Sequence, residues 1–101
     1  MSKKITTAEF ENEVLNSEQP VIVDFFATWC GPCKMLSPVL DEFSANHPEY
    51  KIVKIDVDEE TPLAIKFGVA SIPTLILFKN GEAVDKKLGY MTLDQLEKFA
   101  Q

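Results

Sequence analysis

Val21 to Phe43 reads VIVDFFATWCGPCKMLSPVLDEF, and a change of period inside this stretch decides the fold. Val21 to Ala27 is an apolar run interrupted only by Asp24, which predicts a central strand buried on both faces. From Cys33 onward Met35, Leu36, Val39, Leu40 and Phe43 recur at helical spacing, so an amphipathic helix follows. Pro38 is expected to kink that helix, because it removes one backbone hydrogen bond. Gly31 and Pro32 shape the tight turn between strand and helix.

On the N-terminal side, a short strand is expected near Ile5. Thr6 with Glu9 then offers a capping box for a helix that carries Phe10 and Val14 inward and ends before Pro20. On the C-terminal side, Lys51 to Val57 reads as a strand, and Thr61 with Pro62 is expected to cap and open a short helix through Phe67. Thr74 to Phe78 and Ala83 to Leu88 flank Asn80-Gly81, a strong signal for a tight antiparallel hairpin. Thr92 with Gln95 starts a closing helix whose Leu93, Leu96 and Phe99 face inward. A parallel unit followed by an antiparallel hairpin predicts an α/β fold, a mixed central sheet flanked by helices on both faces.

At 101 residues the chain has room for one domain, residues 1–101, around a single core. Its 46% hydrophobic and 26% charged residues are the balance of a globular protein. Sixteen acidic against ten basic side chains give a net charge of -6, which repels phosphate and anionic lipid, so neither nucleic acid nor a membrane is an expected partner. The opening Met-Ser-Lys-Lys-Ile-Thr-Thr has no apolar run behind its lysines and does not match a secretory signal. A cytoplasmic location and a monomeric state are the expectations.

Both cysteines, Cys30 and Cys33, lie in one Cys-x-x-Cys, too close in sequence to close a stabilising loop. In a reducing compartment such a pair is chemical or metal-binding. A zinc site would need two further ligands, and His47 is the one histidine. The chemical reading is stronger. A thiolate, not a thiol, attacks a disulfide, and Cys30 stands at the start of a helix, where free N–H groups and the helix dipole favour an anion. Cys33 falls one turn on, close enough to displace a substrate from Cys30 and close the ring. Asp24 is a second candidate. An acid among Val21, Ile22, Val23, Phe25 and Phe26 is costly to bury ionised, so its pKa should rise, and near Cys33 it could take or deliver a proton.

Phe25 to Lys34 (FFATWCGPCK), with Ile72-Pro73-Thr74 downstream and Asn80-Gly81 in the hairpin, resembles the thioredoxin family nearly end to end. The resemblance implies the thioredoxin fold and a thiol–disulfide oxidoreductase that reduces client proteins and is recharged by a thioredoxin reductase. It implies no bound cofactor beyond a redox-active Cys30–Cys33 disulfide, with Cys30 attacking and Cys33 resolving. Trp29 matches the family's partly exposed aromatic, against the alternative of a core tryptophan. Pro73 matches its cis-proline, against an ordinary trans turn. Trp29, Gly31, Pro32, Ile72, Pro73, Thr74 and Gly89 would form the substrate-binding surface, and Lys54 would partner Asp24, either for proton transfer or as a structural pair only. Phe26 departs from the pattern, standing where many members carry a second tryptophan. His47, Glu59 and Glu60 are expected to be solvated surface residues. A thiol oxidant or isomerase, and a binding module gated by the dithiol, are the competing functions.

Overall fold

The computed structural model describes residues 2–101; Met1, part of the domain expected over 1–101, lies outside the described residues. The elements follow the order β1 (Ser2–Lys4), α1 (Thr7–Phe10), β2 (Val21–Phe26), α2 (Gly31–Asn46), β3 (Lys51–Asp56), α3 (Thr61–Lys66), β4 (Thr74–Lys79), β5 (Glu82–Leu88) and α4 (Leu93–Ala100). The five strands form one sheet in the order β1-β3-β2-β4-β5. β1, β3 and β2 run parallel, and β4 lies antiparallel to both β2 and β5. This is the mixed sheet expected.

Alternation along β2 explains why its run is apolar on both faces. Val21, Val23 and Phe25 turn toward one layer with Phe10 and Val14, and with Leu63 and Ala64 of α3. Ile22 turns the other way, toward Leu36, Leu40 and Phe43 of α2 and Leu96 and Phe99 of α4. With two-residue periodicity, Asp24 and Phe26 share the face of Ile22 and lie beneath α2. Helices therefore cover both sides of the sheet, and the loop between β2 and α2 emerges at the C-terminal end of a buried strand.

Local signals hold, with some corrections. The first helix changes to a π-helical turn at Glu11–Leu15, closed by Asn16 N–H donating to Glu11 O at 2.9 Å. Nothing in the sequence marks that widening. α2 runs from Gly31 to Asn46 through Pro38, and Pro38 and Lys34, whose carbonyl loses its donor, are both exposed, which leaves that carbonyl open to solvent. Met35, expected inward, is 62% exposed, while Leu36, Leu40 and Phe43 carry the packing. Glu60, not Thr61, occupies the N-cap of α3; Thr61 Oγ1 donates instead to Val57 O at 2.9 Å. Glu60 is also no mere solvated acid, since it accepts from Thr7 N–H and Oγ1 at 2.8 and 2.7 Å and ties α1 to α3. Asn80 and Gly81 both take positive φ, 53° and 79°, which a tight hairpin turn requires.

Candidate active site

The β2–α2 loop carries the chain from Ala27 to Cys30 in one turn, with Cys30 N–H donating to Ala27 O at 3.2 Å. Cys30 is the N-cap of α2, with extended backbone (φ -90°, ψ 113°), and its Sγ accepts from Cys33 N–H at 3.2 Å. This places an unsatisfied helix N–H on the sulfur, the contact that stabilises a thiolate when the pair is reduced. Pro32 falls in the first turn, where its missing N–H costs nothing. One turn of helix separates the cysteines, their Cα atoms are 5.3 Å apart, and the two form a disulfide. Each is only 4% exposed, so burial does not distinguish them; the N-cap position does.

Around the disulfide, Ala27 joins the cysteines in a small apolar cluster on which Phe26, Val57 and Ile72 pack. Ile72 brings with it the Ile72–Pro73 peptide bond, which is cis. Pro73 O accepts from Gly89 N–H at 2.8 Å, and Gly89 has φ 87°, a conformation that favours glycine. Thr74 is fully buried and donates to Ser71 O at 2.6 Å, so its side chain holds the loop and faces no partner. Trp29 is 69% exposed, not core, and its indole N–H donates to Asp58 Oδ2 at 2.8 Å. Asp58 went unrecognised in the sequence. It is positioned by Asp56, which is buried and accepts from Asp58 N–H at 2.9 Å.

Asp24 is fully buried, and among the described residues neither carboxyl oxygen has a hydrogen-bond partner. Burial pushes its pKa up to about 7, against a smaller pull downward from the charge of Lys54. Asp24 and Lys54 face each other in the β2–β3 register, yet they form no direct ion pair. Lys54 Nζ donates to Ser37 Oγ at 2.7 Å and lies 5.0 Å from the centre of the Phe26 ring. The aromatic face and the hydroxyl draw the ammonium toward α2 and away from the carboxyl. A cavity of about 260 Å³, lined by Phe26, Cys33, Ser37 and Lys54 among others, opens beside the second cysteine. A larger cavity, about 440 Å³, lies between β5 and α4, and no cysteine lines it.

Among the described residues no three of His, Cys, Asp and Glu come together as a metal-binding group. His47 caps the far end of α2, about 21 Å along the helix from Cys33, and so cannot complete a zinc site with the cysteines. It is not merely solvated either. Its Nε2 lies 2.7 Å from Glu97 Oε2 and its Nδ1 3.7 Å from Glu49 Oε2, and the Glu97 hydrogen bond raises its pKa.

The family model "Thioredoxin" matches residues 1–101. Similar curated proteins include "Thioredoxin" of Rickettsia felis, 45% identical over 97 residues, covering 95% of this chain and 92% of that one. "Thioredoxin" of Haemophilus influenzae is 48% identical over 99 residues, covering 94% and 90%. "Thioredoxin, mitochondrial" of Mus musculus is 48% identical over 92 residues, covering 90% of this chain and 55% of its own.

Proposed function

The chain belongs to the thioredoxin family, and from that premise we propose that it reduces disulfides in client proteins through Cys30 and Cys33 and is returned to the dithiol by a thioredoxin reductase. It is a thiol–disulfide oxidoreductase whose redox group is its own cysteine pair. The observation that carries the finer reading is the Cys33 N–H on Cys30 Sγ at the head of α2, which makes Cys30 the better anion and hence the attacking thiol.

In the proposed cycle the Cys30 thiolate attacks one sulfur of a client disulfide. The client S–S bond breaks, its other sulfur leaves as a thiolate that takes a proton, and a Cys30–client mixed disulfide forms. Cys33 then loses its proton to Asp24 and attacks Cys30 Sγ. The second client sulfur leaves as a thiolate and takes the proton from Asp24, and Cys30 and Cys33 are joined. Two electrons have passed from dithiol to client. A carboxyl with a pKa of about 7 suits this transfer, because near neutral pH it both takes and returns a proton. Lys54, whose ammonium is held by Ser37, tunes the carboxyl through its charge.

Client contact falls to Trp29, Gly31 and Pro32 on one side of the disulfide and to Ile72, Pro73 and Gly89 on the other, with Thr74 holding that second loop from beneath. A backbone segment of the client pairs with the peptide groups beside Pro73. The chain works as one domain over residues 1–101, as a monomer and in the cytoplasm. The test is catalytic reduction of insulin with dithiothreitol or a thioredoxin reductase as electron source. Turnover that disappears in Cys30→Ser supports the proposal; a wild type that binds clients without turnover would leave a binding module instead.

A further inference from the structure

β5 carries Lys86, paired in register with Ile76, whose side chain belongs to the layer under α1 and α3. Lys86 therefore meets α3, on the opposite side of the sheet from α2 and α4. α3 ends in a turn closed by Gly68 N–H to Ile65 O and Val69 N–H to Ala64 O, both at 3.0 Å, with Gly68 at φ 66°. The carbonyls of Phe67 and Gly68 are left for another donor. Lys86 Nζ supplies it, at 3.2 Å to each. An ammonium suits the place, since the last carbonyls of a helix carry the negative end of its dipole.

The segment that begins there is the loop to β4. Its far end carries Ile72 against the Cys30–Cys33 cluster and is tied by Gly89 N–H on Pro73 O at 2.8 Å. Lys86 and Gly89 lie three residues apart in the chain, so one short stretch grips both ends of the loop. Between the two grips the segment is held by Val69 N–H on Ala64 O at 3.0 Å, by the packing of Val69, and by Thr74 Oγ1 on Ser71 O at 2.6 Å.

We propose that Lys86 is a positioning residue for client binding: its ammonium, shared between Phe67 O and Gly68 O, fixes the 68–73 loop relative to Cys30. The inference rests on the reductase reading above. Lys86→Met keeps the aliphatic stem and loses the donors, whereas Lys86→Arg keeps donors and charge. With insulin as client, Lys86→Met is expected to raise KM about three- to tenfold, the net worth of one ordinary hydrogen bond, since the exposed ammonium is well solvated when released. kcat and the alkylation rate of reduced Cys30 by iodoacetamide should stay at wild-type values, because α2 is untouched. Hydrogen exchange of the Gly68 and Val69 amides should accelerate, and Lys86→Arg should restore both KM and exchange. Unchanged KM and exchange in Lys86→Met would overturn the assignment, as would a fall in Cys30 alkylation or a failure of Arg to rescue. If the wild type itself reduced no protein disulfide, the reductase reading would fail separately, and amide exchange would still decide whether Lys86 holds the loop.

Discussion

Asp24→Asn removes a charge from the centre of the sheet while keeping the shape of the side chain. The carboxyl has no hydrogen-bond partner among the described residues, and burial raises its pKa from 3.8 to about 7. A folded pKa above the unfolded one means that Asp24 favours the folded state most when protonated in both. That contribution fades as pH rises through 3.8 and is gone above about 7. At about 1.4 kcal/mol per unit, the loss between acid and pH 8 is on the order of 4 kcal/mol. An asparagine amide in the same unpartnered place costs roughly 1–3 kcal/mol, so a net gain of about 1–3 kcal/mol is expected at pH 8. No gain is expected near pH 4, where the wild-type carboxyl is neutral. Urea melts of the oxidised proteins from pH 4 to 9 measure it. Resolution of the mixed disulfide should slow about a hundredfold, the lower end of what a positioned general base contributes, if Asp24 takes the Cys33 proton as proposed, and single-turnover kinetics read that directly. An Asn variant less stable than wild type at pH 8 and equally fast would make Asp24 a structural partner of Lys54 with no part in proton transfer.

Cys33→Ser should retain attack by Cys30 and accumulate mixed disulfides with clients, visible as mass-shifted adducts; adducts formed through Cys33 in Cys30→Ser would reverse the two roles. Trp29→Ala should weaken client binding with less than about 1 kcal/mol change in stability, because the ring is 69% exposed; a large drop in melting temperature would place the indole in the core after all. His47→Gln should destabilise the fold in mild acid and converge with wild type as pH rises, since the Glu97 bond raises the histidine pKa and its stabilisation is lost through that pKa. A stability difference independent of pH would mean that His47 acts only by packing on Phe43.

Where one residue type has one physical use, the sequence was enough. The apolar Val21–Ala27 run could only be a doubly covered strand, Asn80-Gly81 took the positive φ values its turn needs, and Thr92 N–H and Oγ1 meet Gln95 as a capping box. The cysteines were legible because strand, turn and helix in that order put Cys30 at an N-terminus. What stayed hidden depends on long side chains choosing among distant partners. Register puts Lys54 opposite Asp24, but a four-carbon stem let it reach Ser37. Asp58 reaches Trp29 across 29 positions, and Glu97 reaches His47 across 50. No local pattern encodes such pairs. Met35 failed for a different reason: helical spacing defines a stripe wider than the contact, and only tertiary packing selects which of its edge residues is covered.

Whether Cys30 and Cys33 form a reducing couple is read by equilibrating the protein with graded mixtures of reduced and oxidised glutathione. The expected potential is more reducing than that of glutathione, so that the pair stays a disulfide until reduced glutathione is in large excess. A couple that glutathione reduces readily, leaving the protein a dithiol under mildly oxidising mixtures, would mark an oxidant or isomerase and contradict it.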